Sequence, residues 1–492
     1  MAGTDKVEMP AFPVSGQGRN PGKARYSDSH RRGSSGDARA RSYGSWPQCY
    51  NPAMPSYVIA GALVFHRGRF QPLEVRTDGP YIAAVAPSVD RSGATVIDAA
   101  GLHLFPGIID THVHFREPGR THKEDLESGS RAAVAGGVTS YLEMPNTEPS
   151  ATTQALIDEK LALAASKSHA NFGFFIGATA DNVQELAAAR RVCGIKIFMS
   201  SSTGSLLVDD PVALDRIFAQ TPRQRVIAVH AECEMLMRQN AERLKHRTDF
   251  AVHSEVRDAE VAWRATRQAY ELAQKHQHRL HVLHCSTARE TEFFTPGRSI
   301  EAKLITAEVC PHYLLLNTSA YERLGTLAKM NPPLKSEADN RGLWQALHAG
   351  AIDCIATDHA PHTLDEKRQD IWKAPSGIPA IENSLALMLD SAARGRCSLE
   401  QLAWWMCEAP ARAYRLKRKG FIEPGFDADL TLVDTTEVRE VRNERQFTRV
   451  KWSPWHGQRL TGWPKMTFVR GCKVYDQGTF DEAARGSEIE YA

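Results

Sequence analysis

Four histidines, one lysine and one aspartate stand apart in this 492-residue chain because each lies in or just after a short apolar run. His112 and His114 follow "FPGIID", Lys196 sits inside "GIKIFM", His230 ends "RVIAVH", His284 ends "RLHVLH", and Asp358 follows "IDCIA". Imidazoles and carboxylates are the ligands a divalent ion such as zinc selects. At a strand end, residues i and i+2 point the same way, so His112 and His114 can reach one ion. An isolated His-x-His is weak evidence, and a lone His230 or His284 is more often a satisfied core histidine. Their recurrence at successive strand ends argues against that reading for the set. Asp358 is costly to bury unless it is paired or bound to a metal.

Lys196 needs its own argument. Flanked by Gly194, Ile195, Ile197 and Phe198, it belongs to a buried strand, and a protonated lysine is no metal ligand. An inward lysine paired with a carboxylate is the ordinary reading. A lysine carbamate formed with CO2 is the other, and it would supply an anionic bridge to a site rich in histidine. Spacing alone does not choose between them.

These residues need a scaffold that brings distant strand ends together. Eight apolar runs qualify as strands: "LFPGIID", "VTSYLEM", "ANFGFFIGA", "GIKIFM", "RVIAVHA", "RLHVLHC", "LITAEVCPHY" and "AIDCIATDH". Helical stretches such as "TTQALIDEKLALAASK" lie between most of them. Alternation of this kind over about 300 residues predicts an α/β fold, a TIM (β/α)8 barrel, whose C-terminal strand ends form one face. Short β-type runs at both ends of the chain ("YVIAGALVF", "DADLTLVD", "TFVRGCKVYDQG") predict a small β-sandwich domain formed from both termini. The expected boundaries are 56–103 with 411–480 for the β domain, 104–410 for the barrel and 481–492 for a C-terminal tail. Residues 1–55, rich in Gly, Ser, Pro and Arg, lack apolar periodicity and are expected to be disordered. A transit peptide is disfavoured there by Asp5, Glu8, Asp28 and Asp37. Met54 is an alternative start.

Bulk properties narrow the function class. A net charge of +2 gives no reason to expect nucleic acid or a membrane surface as partner. No apolar run approaches the ~18 residues of a membrane span. Nine cysteines without CxxC pairs suit a reduced, cytoplasmic enzyme rather than a disulfide scaffold.

"GIIDTHVHFREPGRTHKEDLESGSRAAVAGGVTSYLEMPNTEPS", "GIKIFMSSSTGSLLVDD", "HVLHCSTARE", "KMNPPLKS" and "IATDHAPHTLDEKR" together resemble the dihydroorotase signatures of the amidohydrolase superfamily. The likeness spans about Tyr57 to Gln477. It implies two zinc ions bridged by carbamylated Lys196, with His112, His114 and Asp358 completing one ion's ligands and His230 and His284 the other's. It further implies that Asp358 is the catalytic acid and base, and that Arg116, Asn146, Asn331, His362, Ser376 and Gly377 contact the substrate. The implied reaction is the reversible closure of N-carbamoyl-L-aspartate to (S)-dihydroorotate in pyrimidine biosynthesis. An arginine fork at Arg116 suits a carboxylate-bearing ring. Arg116 pairing with Glu117 or Asp125 to hold its loop is the structural alternative.

Allantoinase and hydantoinase are the sister readings, and an inactive scaffold is a third, though scaffolds of that kind typically lose metal ligands. A homodimer or homo-oligomer is expected, with association to an aspartate transcarbamoylase left open. Glu308 and His312 stand evenly between supporting the site and plain core hydrogen bonding. Trp404 and Trp405 read as packing or an oligomer contact.

Overall fold

The computed structural model describes residues 54–202, 206–297 and 299–492. The disorder expected for 1–55 therefore falls, apart from 54 and 55, outside the described residues.

Eight parallel strands form the central sheet in sequential order. They are β1 (Ile108–Val113), β2 (Val138–Glu143), β3 (Asn171–Gly177), β4 (Gly194–Phe198), β5 (Ile227–His230), β6 (Leu280–Val282), β7 (Ile305–Val309) and β8 (Cys354–Ile355). Every residue of every one of these strands is buried. Two covered faces explain why the strands read as apolar runs rather than as alternating ones. Just past the last strand, His359 bridges in parallel to Val113 and accepts a hydrogen bond from His114 N at 2.8 Å, drawing the eighth strand against the first. The predicted barrel is therefore present.

The barrel wall is packed from outside by amphipathic helices. Ala259–His276, before β6, turns Val261, Ala262, Ala265, Ala269 and Ala273 inward and opens on an Asp258 side-chain cap. Glu337–His348, before β8, starts in a capping box between Ser336 and Asp339.

Both ends of the chain contribute to the β domain. A four-stranded sheet comes from residues 56–98 alone, whereas a seven-stranded sheet pairs His103–Pro106 from the N-terminal part with Leu430–Glu440 from the C-terminal part. Ile59, Val75, Ile82, Leu104, Leu430, Leu432 and Phe468 form one core shared by the two sheets.

Three expected boundaries shift. "LFPGIID" is not a single strand: His103–Pro106 belongs to the β domain and Ile108–Val113 to the barrel. Gly107 makes the transition, because a Cβ there would lie 2.1 Å from Thr139 Oγ1. Position 411 falls within the helix Ala409–Ala413, whose alanines pack on Ile109 and Cys354 of the barrel. Residues 481–492 are not a loose tail. Phe172 N donates to Ser487 O at 3.0 Å and Ile489 N to Phe172 O at 2.9 Å, so this segment runs against β3 with Ile489 buried. Gly173 makes the approach feasible, since a Cβ there would sit 2.1 Å from Tyr491 Oη.

Among the described residues, no helix is long and apolar enough to cross a membrane.

Candidate active site

The strand ends converge as expected. His112, His114, Arg116, Asn146, Lys196, His230, His284, Asn331, Asp358, Ser376 and Gly377 all line one small cavity at the C-terminal mouth of the barrel. Of the metal and substrate residues that the family resemblance implies, His362 alone stands behind that wall. Three of the lining residues hold left-handed backbone: Arg116 (φ 64°), His284 (φ 39°) and Asp358 (φ 47°). A non-glycine residue costs of order 1–3 kcal/mol there, and such strain concentrates where function fixes a side chain.

Three of the four histidines are oriented by a partner behind them. His112 Nδ1 donates to Glu308 Oε1 at 2.8 Å, His114 Nδ1 to Asn146 Oδ1 at 2.7 Å, and His230 Nε2 to Glu232 Oε2 at 2.8 Å. Burial pushes Glu308 up, but His112 and His281 outweigh it and keep it ionised, so it can only accept. Burial also drives His114 down to about 3 and lowers His230 and His284, so these three rings are neutral. A neutral imidazole carries one proton. In His114 and His230 it is spent on the partner, and the other nitrogen presents a bare lone pair to the cavity.

The Nε2 atoms of His112 and His114 face an anion, while His230 Nδ1 accepts from His284. His112 Nε2 and His114 Nε2 lie 3.2 and 3.1 Å from Asp358 Oδ1. His230 Nδ1 lies 2.9 Å from His284 Nε2. Clustered acceptors repel unless a cation sits among them, and ligand atoms of His112, His284 and Asp358 fall within 4.8 Å of one another. The donor set fits divalent metal.

Lys196 completes the set in an unusual state. It is fully buried in β4, its Nζ has no hydrogen-bond partner among the described residues, and it stands 4.4 Å above the Phe198 ring. Among the described residues no carboxylate pairs with it, so the ordinary reading of an ion-paired lysine is not realised there. Burial lowers it to about 7, with Asp358 and Glu308 opposing. An amine near that value is largely neutral and nucleophilic at physiological pH.

The pocket wall beside this cluster is cationic. Arg116 is 2% exposed, with Nε donating to Pro361 O at 3.3 Å. Its structural alternative fails: Glu117 pairs with Lys167 at 2.5 Å, and Asp125 pairs with Arg449 and caps Ser128 N. Asn331, with its nitrogen turned to Ser376 Oγ at 3.0 Å, accepts from Arg257 Nη2 at 3.3 Å. Gly377, at φ 140°, lies so close to Ala360 that a Cβ would come within 2.3 Å of its carbonyl oxygen. His362 is buried and contacts Arg116, Lys123 and the Ser376 carbonyl.

Glu308 thus supports the site, joining His112, His281 and Thr111. His312 is buried against the Tyr313 ring and does not line the cavity. Trp405 is buried near Trp344 and His348, as packing requires. Glu232, Arg257 and Lys123 were not singled out in the sequence. Glu232 carried a signal, standing two residues after His230 at a strand end. Lys123 and Arg257 carried none, lying in loops whose partners are over 100 residues away or on another loop altogether.

Comparison with known proteins agrees with this geometry. The profile of the "Amidohydrolase family" matches residues 103–474. A dihydroorotase of Halobacterium salinarum is 37% identical over 82% of this chain and 94% of its own length. An allantoinase of Salmonella choleraesuis is 32% identical over 85% of this chain and 95% of its own. Among solved structures, the L-hydantoinase (dihydropyrimidinase) of Arthrobacter aurescens superposes with a TM-score of 0.80 at 28% identity, covering 87% of this chain and 97% of that one.

Proposed function

Since the chain belongs to the amidohydrolase family, we propose that it is a dihydroorotase, interconverting N-carbamoyl-L-aspartate and (S)-dihydroorotate in pyrimidine biosynthesis. Family membership supports a cyclic amide hydrolase, and dihydroorotases, allantoinases and hydantoinases all stand among its relatives. One observation carries the narrower reading: Arg116 is buried at the wall of the cavity with no carboxylate paired to it among the described residues. Burying an unpaired guanidinium is costly. Dihydroorotate brings the missing carboxylate, whereas allantoin and dihydrouracil bring none.

His112, His114, Asp358 and Lys196 as its carbamate would hold one zinc ion. His230, His284 and the same carbamate would hold the second. When bound, such ions polarise a carbonyl and lower the pKa of water toward neutrality. Everything else falls to the chain. Arg116, backed by His362, fixes the ring by its carboxylate, aided by Asn331 and the backbone at Ser376 and Gly377. Asn146 lines the same cavity while orienting His114, joining substrate contact to ligand placement. Asp358 accepts the proton of the attacking water and returns it to the ring nitrogen as the amide bond breaks. In the synthetic direction Asp358 takes a ureido proton, and with one further proton from solvent the carboxylate oxygen leaves as water; because the net closure consumes that proton, acid favours the closed ring.

An allantoinase or hydantoinase is the second reading, favoured by the similarity to the Arthrobacter structure. Turnover of dihydroorotate, allantoin, hydantoin and dihydrouracil by the zinc-loaded protein separates the two. Preference for dihydroorotate is expected, and preference for any uncharged ring would refute the proposal.

A further inference from the structure

Lys123 lies on the loop after β1, and its side chain reaches across to the loop after β8. Its Nζ is 3.0 Å from His362 Nδ1 and 2.9 Å from Glu366 Oε1, and the residue is 8% exposed. Glu366 belongs to the short helix Leu364–Lys367, so the ion pair ties the two loops together. An ammonium has three hydrogens and no lone pair, so at Nδ1 it can only donate. Nδ1 must then be the accepting nitrogen of the ring.

The consequence falls on the other nitrogen. A neutral imidazole with an unprotonated Nδ1 carries its proton on Nε2, and Nε2 of His362 lies 3.1 Å from the Ser376 carbonyl, which accepts it. Nε2 also lies 3.3 Å from Arg116 Nη2. Between a protonated Nε2 and a guanidinium this is no hydrogen bond, so His362 leaves the Nη2–H of Arg116, which lines the cavity, to another acceptor. A guanidinium edge left open in this way is complementary to the two oxygens of a carboxylate. The opposite tautomer would set a lone pair beside Arg116 and satisfy it internally, leaving less reason for an anion to bind. Protonation of both nitrogens is disfavoured by burial, which holds His362 well below the ordinary histidine value, with Glu366 opposing and Arg116, Lys123 and Lys367 adding to the effect.

We propose that Lys123 is a positioning residue, whose ammonium, held by Glu366, occupies His362 Nδ1 and so keeps Nε2–H on the Ser376 carbonyl, leaving Arg116 unspent for the substrate's carboxylate. The carboxylate itself rests on the dihydroorotase reading; the tautomer does not.

The test therefore has two arms on the zinc-loaded full chain. In the first, the protein is labelled with 15N-histidine, and His362 is identified by the signal lost in His362→Gln. Long-range 15N–1H correlation should show an Nε2–H tautomer in the wild type. In Lys123→Met, Nδ1 is released toward Glu366 Oε2, 3.7 Å away, and the Nδ1–H form should appear. In the second arm, Lys123→Met should raise KM for dihydroorotate about tenfold, the effect of one weakened charged hydrogen bond, with kcat within about twofold. Lys123→Arg, which keeps a cation at the site, should recover most of the loss, and the poor turnover of dihydrouracil should not change. An Nδ1–H signature in the wild type overturns the proposal, and so does an unchanged Nε2–H signature in Lys123→Met. If the wild type does not act on dihydroorotate at all, the functional reading fails while the tautomer still decides the role of Lys123.

Discussion

Glu308 on the seventh barrel strand accepts a hydrogen bond from Nδ1 of His112 on the first, at 2.8 Å, across the interior of the barrel. The same carboxylate accepts from Thr111 Oγ1 at 2.8 Å and lies 3.1 Å from His281 Nε2. One buried anion therefore fixes which nitrogen of His112 faces the cavity.

Glu308→Gln replaces a pure acceptor by a group that also donates, and it weakens the hold on His112. Loss of such an outer partner typically costs about 10–100-fold in metal affinity. Zinc retention against a graded chelator should fall by that factor in the variant. Unchanged retention would mean that the contact serves only core packing.

Lys196 should be the carbon dioxide acceptor. The carbamate forms from the neutral amine, and burial lowers Lys196 to about 7 from the ordinary 10.5. At fixed dissolved CO2, carbamylation of metal-free protein should therefore rise as pH passes through about 7. An unshifted lysine would respond only near 10.5. Intact mass of the native protein reads the added CO2. Lys196→Ala should be nearly inactive, with partial recovery in short carboxylic acids; full activity without any additive would contradict the assignment.

The C-terminal segment should matter for stability but not for chemistry. Deleting residues 488–492 removes buried Ile489 and the pairing with Phe172, far from the cavity mouth. Burying one such side chain contributes ~1.5–3 kcal/mol, so Tm should fall by several degrees with kcat near wild type. A truncated chain that melts like the full one would show that the segment adds nothing.

The sequence showed the site more clearly than it showed the strands that carry it. His112, His114, Lys196, His230, His284 and Asp358 were legible because a barrel brings all strand ends to one face. Their burial in two-sided strands made each a conspicuous polar interruption. The strand before Asp358 was far less visible, since only Cys354 and Ile355 pair there. Residues 481–492 looked like a tail because one buried Ile among charged neighbours has no periodicity; Gly173, distant in sequence, creates the room they use. Lys123 and His362 show the same limit for the site: 239 positions separate them, and tautomer choice leaves no trace in residue type.

Recognition of a carboxylate by Arg116 is the centre of the account, and it is tested by kcat/KM for dihydroorotate and dihydrouracil in wild type and in Arg116→Met. Methionine keeps much of the volume and removes the fork. Two charged hydrogen bonds contribute ~3 kcal/mol or more between them, so kcat/KM for dihydroorotate should fall about a hundredfold. Dihydrouracil has no carboxylate to lose, and its low rate should barely move. A large loss confined to dihydroorotate is the predicted result; equal losses on both substrates would contradict the account and make Arg116 a structural residue.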